Sequence, residues 1–385
     1  MAVNFKTVRV TAADDGGGGQ DITAAGVGTP KAVIFTVTNA VTNATSTADA
    51  VMCVGFTDGV RQFCAACSSD DAAADSNTAH MTSDTKCLAI LDAATSTELD
   101  WASFESWITN GVRIAWGTGS ATQLITVTFI YGADATVYCG DWTASASVDT
   151  DTVITAPGFA GEALWVVGSD NTAYDTIDAD AALACLMAGF AVVNSGVVTQ
   201  SSLTYKSLDA AAISDCRDRV SSLYVQADSD ASPAVEITAF SATGFTATTR
   251  NAGRAAKYCY LLLGTGGTCA RWTGIVDSPI ATGAHSVTAP GFKPQFVAIL
   301  PNGVDTINSE KTTGNGPGTF GLCQFTATEI FSNTIGDDDN SSTMSAKSYV
   351  TTDLRCRSDI HTNIIAATFT SFDATGWTIN VSVDK

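Results

Sequence analysis

One short motif recurs along this chain at a regular interval. Thr-Ala-Pro-Gly-Phe stands at residues 155–159 and again at 288–292, and residues 23–27 carry the variant Thr-Ala-Ala-Gly-Val. The copies are 132 and 133 residues apart, and an apolar stretch follows each of them. We interpret the repeated glycine as part of a turn that leads into a strand. The same interpretation predicts a positive φ in the short Thr-Asn-Gly and Ala-Thr-Gly loops that end at Gly111, Gly244 and Gly376. The spacing therefore predicts three similar units of about 130 residues, a size typical of one domain.

Two further markers share this interval, which strengthens the case for an internal repeat. One is a glycine within an apolar run, and the other is an aromatic residue four positions before a glycine. They stand at Gly55, Gly189 and Gly321, and at Trp107 with Gly111, Phe240 with Gly244 and Phe372 with Gly376.

Within each unit the side chains alternate with a period of two. Trp377, Ile379, Val381 and Val383 are apolar, and the residues between them are polar. This pattern is typical of an antiparallel strand with one buried face. Residues 176–192 have a composition that a helix would tolerate, but their glycine and β-branched end favour a strand.

We therefore predict an all-β protein made of three tandem antiparallel β-sandwich repeats of a jelly-roll-like kind. Hydrophobic residues make up 45% of the chain, which is enough to fill three cores. The predicted domains are an N-terminal arm with the first repeat (residues 1–140), a second repeat (141–272) and a third repeat (273–385) that lacks its last strand.

The N-terminal arm, residues 4–12, precedes the first copy of the motif and is joined to it by a glycine-rich tether. A sheet that lacks a strand leaves backbone groups unpaired, and a strand from elsewhere can pair with them. We hypothesise that the arm or a neighbouring chain completes the third repeat. An arm that crosses to another subunit would make a homo-oligomer, whereas the alternative is a third repeat with simply one strand fewer.

The charge of the chain is strongly negative. Lys and Arg number 19 against 39 Asp and Glu, for a formal net charge of −20. Such a chain repels nucleic-acid phosphates and anionic lipid surfaces, so we expect neither nucleic acid nor membrane as a partner. The N-terminal residues lack the apolar core of a signal peptide, and the eleven cysteines are expected to be reduced.

No pattern in the sequence predicts a catalytic, cofactor-binding or metal-ligating residue, and we predict no enzyme activity and no cofactor. Cys64 and Cys67 have the spacing of a redox or zinc pair, but their apolar surroundings favour packing as small hydrophobic residues. His80, His285 and His361 form no metal-binding motif. Other features with a weak functional interpretation are the acidic loops at 170–180 and 336–342, which could hold calcium, and the sequons at Asn43, Asn340 and Asn380.

The seven tryptophans divide into two groups. Four of them, Trp107, Trp142, Trp272 and Trp377, occupy positions that match between repeats, which predicts a role in the cores. Of the other three, Trp101 and Trp116 are the candidates for an exposed aromatic binding face, and Trp165 is not one.

Three short motifs resemble β-rich structural proteins of tailed bacteriophages. They are Gly-Phe-x-Pro at Gly291–Phe296, Phe-Asp-x-Thr-Gly-Trp-Thr-Ile at Phe372–Ile379, and the strand Tyr258–Gly264. The resemblance touches all three repeats. It implies a structural role in a virion, as a head decoration, collar or tail-associated protein, and it transfers no functional residue.

The resulting expectation is a non-enzymatic virion component that is assembled in a host cytoplasm. Its expected partners are copies of itself and other virion structural proteins. The alternative is a carbohydrate- or receptor-binding β-sandwich array on a fibre or a cell surface. That function would require exposed aromatic residues at corresponding loops of each repeat, whereas the loops here are small and acidic.

Overall fold

The chain folds as an all-β protein in the computed structural model, as the sequence predicts. Thirty strands form six antiparallel sheets among the residues that the structure describes. Those residues are 3–13, 16–71, 77–118, 121–178, 183–208, 214–224, 234–251, 255–267, 269–274, 276, 282–301, 310–311, 319–336, 346–357 and 364–383.

The first sandwich contains strands β1 to β11. They are β1 (Asn4–Thr11), β2 (Gly19–Thr23), β3 (Ala32–Thr38), β4 (Ser46–Ala48), β5 (Ala50–Thr57), β6 (Gln62–Ser69), β7 (Thr78–Ser83), β8 (Leu88–Asp92), β9 (Thr97–Ile108), β10 (Gly111–Trp116) and β11 (Leu124–Tyr131). The larger sheet has the order β1-β11-β3-β5-β6-β7, and the smaller sheet has the order β2-β10-β9-β8.

The second sandwich contains strands β12 to β21. They are β12 (Thr136–Thr143), β13 (Thr150–Ile154), β14 (Ala163–Gly168), β15 (Leu183–Asn194), β16 (Val197–Leu208), β17 (Ser214–Arg219), β18 (Leu223–Tyr224), β19 (Ala234–Phe240), β20 (Phe245–Asn251) and β21 (Lys257–Gly264). Its larger sheet begins β12-β21-β14-β15-β16-β17, and its smaller sheet is β13-β20-β19-β18. Strand β15 confirms that residues 183–192 of the segment with helix-like composition form a strand.

The third sandwich contains strands β22 to β30. They are β22 (Gly283–Val287), β23 (Phe296–Ile299), β24 (Glu310–Lys311), β25 (Thr319–Thr326), β26 (Ile330–Gly336), β27 (Lys347–Thr351), β28 (Leu354–Arg357), β29 (Ile364–Asp373) and β30 (Gly376–Val383). Its smaller sheet is β22-β30-β29-β28, and its larger sheet begins β23-β25-β26-β27.

The three sandwiches have the same strand order wherever their strands correspond. Four strands in succession, such as β3, β5, β6 and β7, pair as an antiparallel meander within one sheet. The next three form a second meander in the other sheet. The connectivity is therefore simpler than the two Greek keys of a jelly roll, in which successive strands alternate between sheets. The boundaries of the three predicted repeats stay a prediction.

The recurring glycines occupy corresponding places in the three sandwiches. Gly26, Gly158 and Gly291 have φ values of 85°, 73° and 73°, in the left-handed region that favours glycine. The positive φ predicted for Gly111, Gly244 and Gly376 is wrong, because none of the three lies in the left-handed region, and in the first sandwich Asn110 adopts it with a φ of 62°. Glycine is needed at these positions because the neighbouring strand lies close. At Gly376 a Cβ atom would overlap the carbonyl oxygen of Val287 on the neighbouring strand, and Gly111 and Gly244 are equally close to Ile22 and Ile154.

Each sandwich has its own hydrophobic interior between its two sheets, and a fourth core lies outside them. This central core is formed where the outer faces of the three larger sheets meet. It includes one large buried aromatic residue from each sandwich, namely Phe56, Tyr205 and Phe320. Full burial of such a side chain stabilises the fold by about 1.5–3 kcal/mol, so the central core ties the three sandwiches into one body.

Three strand exchanges close the sandwiches into a ring. Strand β4 of the first sandwich pairs with β27 of the third, and β24 of the third pairs with β17 of the second. The second sandwich reaches the first through a bridge between Asp178 and His80 on β7, with backbone hydrogen bonds of 3.0 and 3.3 Å. Each exchanged segment lies in the connection that follows β3, β14 or β23. Each pairs with the outermost strand of the larger sheet in a neighbouring sandwich.

The N-terminal arm does not complete the third sandwich, so that part of the sequence-based hypothesis is wrong. Strand β1 pairs with β11 over eight residues, from Asn4 opposite Tyr131 to Thr11 opposite Leu124. It thus occupies in the first sheet the position that β12 occupies in the second. The arm pairs there because, without it, β11 would be an open edge of the larger sheet in the same sandwich.

Candidate assembly groove

A groove of about 910 Å³ lies between the second and third sandwiches. We call it the β23 groove. One wall is the free edge of β23 with Phe296, Ala298 and Leu300, and the base is the smaller sheet of the third sandwich with Trp377 and Ile379. The opposite wall belongs to the second sandwich and includes Trp165, Phe190, Val192 and Leu203. The lining is mainly apolar, which is typical of a surface that binds another molecule.

The groove exists because β23 has a strand on one side only. Among the described residues β23 pairs with β25 and with no other strand. Strand β3 lies between β11 and β5, and β14 lies between β21 and β15. No strand in the described part of the chain fills in the third sheet the position that β11 and β21 fill in the first two.

The open edge leaves apolar side chains partly exposed. All seven residues of β3 are buried, and five of the six residues of β14 are buried. In β23 only Val297 is buried, while Phe296, Ala298 and Ile299 are half-buried. Apolar groups at an open sheet edge are a binding and aggregation surface, which proteins ordinarily cover or interrupt with charge.

Aromatic contacts set the base of the groove in place. Trp272 meets the Trp377 ring edge-on at 6.2 Å between centroids, and Trp377 packs against Phe325 at 6.3 Å. On the central side Phe296 stacks on Phe5 of strand β1 at 4.6 Å and an interplanar angle of 12°. These contacts keep the groove walls ordered without a strand between them.

The segment that contains Trp272 is anchored by charge to the second sandwich. Arg271 donates from Nε to the carbonyl oxygen of Val193 at 2.7 Å, and its Nη1 lies 3.2 Å from the buried carboxylate of Glu162. Glu162 also accepts the backbone N–H groups of Thr265 at 3.0 Å and Gly267 at 2.6 Å. The segment therefore lies along the groove as an ordered coil that has no described strand beside it.

The opposite interface, between the first and third sandwiches, is filled by hydrogen-bonded polar groups. The Thr126 hydroxyl donates to Asn333 at 2.7 Å, and Thr128 and Gln324 are also hydrogen-bonded. Arg9 donates to the carbonyl oxygens of Thr351 at 3.0 Å and Ser332 at 3.2 Å. Burial lowers the pKa of Arg9 to about 10. The guanidinium remains charged at neutral pH and joins the two sandwiches.

The tryptophans proposed for an exposed binding face do not form one. Trp116 is only 3% exposed, lies in the interior of the first sandwich and donates from Nε1 to Gln20 at 2.9 Å. That candidate is therefore wrong. Trp101 is half-buried, with its ring against Gly117 and the Lys86 ammonium 5.6 Å from its centroid. Of the four tryptophans at matched positions, Trp142 and Trp377 are buried in cores, as the repeat predicts. Trp107 and Trp272 are half-buried and only pack against a core.

Cys64 and Cys67 cannot chelate one ion together. They lie on opposite faces of β6, Cys64 in the interior of the first sandwich and Cys67 in the central core. The pKa of the Cys64 thiol is raised well above its ordinary value by its hydrogen bond to Cys53 and by burial. Burial also raises the pKa of Cys323 to about 12. These thiols are protonated and enclosed, and they pack as small apolar groups.

The remaining candidates are scattered. His80 is buried on β7, His285 lies half-buried on β22, and His361 lies outside the described residues. Asp175 of the first acidic loop accepts the hydroxyls of Ser83 at 2.5 Å and Thr85 at 2.9 Å. Most of the loop at 336–342 and Asn340 are not described, whereas Asn43 and Asn380 are exposed. Across the described part of the chain no three His, Cys, Asp or Glu side chains are grouped to hold a metal ion.

The described residues contain no helix that is long and apolar enough to cross a membrane. The β23 groove is the candidate site described above. The sequence analysis expects the third repeat to lack a strand, but it does not predict the wall from the second sandwich. No protein-family profile and no curated protein matches this sequence.

Proposed function

We propose that this protein is a non-enzymatic structural subunit of a virus particle of the tailed-bacteriophage type. The observation that carries the proposal is the ring of three sandwiches, which share one central core and three strand exchanges. Closed rings built from similar units are the usual form of assembly components. Here one chain supplies all three units.

The charge distribution supports this role in a limited way. A net charge of −20 keeps a free subunit soluble and monomeric until it meets its assembly partners. The ion pairs found on the smaller sheets are exposed, for example Arg113 with Asp21 at 3.0 Å and Arg250 with Asp149 at 2.8 Å. Such pairs contribute little to stability, and they leave the outer faces polar.

The test is sedimentation of a lysate from the culture that produces the protein. We expect the protein to move with nucleic-acid-filled particles in a density gradient and to be labelled on those particles by a specific antibody. The purified chain alone should be a monomer of 39.6 kDa by light scattering, because its ring is closed internally. A protein found only in the soluble fraction that binds a glycan array would contradict the proposal and favour a carbohydrate-binding role.

A further inference from the structure

We propose that the β23 groove receives an extended strand from another polypeptide, which pairs antiparallel with β23 and completes the larger sheet of the third sandwich. The inference deepens the proposed function, because it names the chemistry of an assembly partner. It concerns one edge of one sheet and therefore has its own test.

The same position in the other two sheets shows what such a strand must be. Strand β11 runs antiparallel to β3, with Ile125 opposite Val37 and Ile130 opposite Ala32. Strand β21 runs antiparallel to β14 in the same way. Both are eight residues long, and all but one or two of their residues are buried. A strand buried on both faces is a nearly continuous apolar run, so the partner segment must have this character.

The two faces of the partner strand meet different surroundings. One face covers the interior of the third sandwich, where Val287, Trp377 and Ile379 line the groove. In β11 and β21 this face carries large side chains such as Phe129 and Tyr260. We therefore expect bulky aliphatic or aromatic residues at alternate positions of the partner.

The other face of the partner strand meets the second sandwich. Phe190, Val192 and Leu203 line that wall together with the hydroxyl groups of Ser201 and Ser202. In β11 the corresponding face contains two threonines that hydrogen-bond across a sandwich interface. Small apolar residues mixed with threonine or serine suit this face.

A second copy of this chain is a poor source of the strand. Every strand that the structure describes is already paired in a sheet. The N-terminal strand β1, which is the obvious candidate for exchange, is fixed by eight residues of pairing and by the hydrogen bonds of Arg9 to the third sandwich. With no described strand left to exchange, we assign the strand to a different polypeptide that presents an apolar segment in extended form.

The experiment uses the full chain and a synthetic peptide with the sequence of residues 122–131, lengthened by three lysines for solubility. This peptide is the chain's own β11, so it carries the pattern that fits the equivalent position. We expect saturable binding of one peptide per chain. Hydrogen exchange at the amides of β23 should become about tenfold slower, because the added strand protects the open edge.

Two peptide controls test whether strand pairing is responsible. A peptide with the same residues in scrambled order should not protect β23. A peptide with Val127→Pro should also fail, because proline removes a ladder hydrogen bond and breaks the strand. Equal protection by all three peptides would overturn the proposal, since it would show that any apolar peptide enters the groove.

A matched pair of protein variants tests the location. Ala298→Arg places a long charged side chain in the groove and should abolish peptide binding. Ala284→Arg, on an exposed position of β22, should bind as the unchanged protein does. If the first variant fails to fold, the peptide controls still decide the matter.

Two results would overturn the inference. One is the absence of β23 protection by the β11 peptide. The other is protein from its natural source in which the β23 amides are already protected by a segment of the same chain. Neither result depends on particle association. A peptide that binds as expected to a protein absent from particles would refute the proposed function and leave the groove assignment intact.

Discussion

Strands β14 and β23 hold the same place in the second and third sandwiches, yet their surroundings differ. Strand β14 lies between two neighbours and is buried almost throughout, whereas β23 has one neighbour and three half-buried residues. Both segments are similarly apolar, so their composition does not explain the difference. The comparison teaches that the sequence of a strand predicts burial only if a neighbour is available to cover it.

The largest effect should come from filling the tight glycine sites of the two sandwiches. Gly244→Ala is expected to lower the free energy of unfolding by about 4–5 kcal/mol, because its Cβ would overlap the Ile154 carbonyl oxygen. Gly376→Ala should cost about 1 kcal/mol less, since Val287 borders the open groove and can shift. Urea unfolding followed by tryptophan fluorescence measures both. An equal loss of stability in Gly244→Ala and Gly376→Ala would contradict the expected difference between the second and third sandwiches.

A smaller difference in stability is expected between substitutions of a leucine in β14 and of a leucine next to β23. Leu164 of β14 is 2% exposed, and Leu300, which follows β23, is half-buried in the groove wall. Leu164→Ala should lower stability by about 3 kcal/mol and Leu300→Ala by about 1–2 kcal/mol, because less buried surface is lost at the second site. The same urea titration gives both values. A loss at Leu300 as large as that at Leu164 would mean that the groove is closed in solution.

The closed interface between the first and third sandwiches offers the next test. Arg9→Met should lower stability by about 2 kcal/mol, because it removes the hydrogen bonds of a charged, buried guanidinium to Ser332 and Thr351 across the interface. Arg9→Lys should recover part of the loss by restoring the charge but not the geometry of the guanidinium. Thermal unfolding of the two variants measures this. Identical melting of the methionine variant and the unchanged protein would show that the polar interface contributes nothing.

The smallest predicted effect concerns the covered edge of the third sandwich. Burial raises the pKa of Asp49, which directly follows β4, and this outweighs the backbone hydrogen bond from Asp71 that lowers it. The nearby Asp70 and Asp71 carboxylates add to the rise. A carboxyl group whose pKa is raised in the folded state favours folding when protonated, so stability falls as pH rises from 3.8 through the raised value.

Asp49→Asn should therefore stabilise the protein by about 0.5 kcal/mol at pH 7 and have no effect below pH 3.8. Asparagine tolerates the positive φ of 68° at this position, so the backbone is unchanged. Unfolding measured across this pH range gives the result. A gain that persists at the lowest pH would assign the effect to packing rather than to charge.

Several features of the fold are predictable from the sequence for clear physical reasons. The glycines at 111, 244 and 376 mark the hairpins, although the close approach of the neighbouring strand requires glycine there and not the predicted positive φ. The alternation after Gly376 predicts the buried face of β30. These are local signals, and each requires only a few adjacent residues.

The strand exchanges are not predictable in this way. Strand β4 is three residues in a polar connection, and β24 is two. Both strands are too short to show an alternating hydrophobic pattern. Their pairing is therefore set by the position of the neighbouring sandwich. The central core is indicated in the sequence, because the consecutive apolar residues 32–35 at the start of β3 favour burial on both faces. This run predicts a second packing layer without showing which part of the chain provides it.

The ring of three sandwiches has a consequence for stoichiometry. Three identical chains arranged about a threefold axis must have three open edges or none, because every feature occurs in triplicate. A single chain is free of that constraint and can keep two positions closed while it opens the third. One strand position then differs from the other two, so the ring has no threefold symmetry and one of its three sides is distinct. A partner strand that binds in the β23 groove binds once per chain. Its position then fixes the rotational orientation of a ring whose three units are otherwise alike.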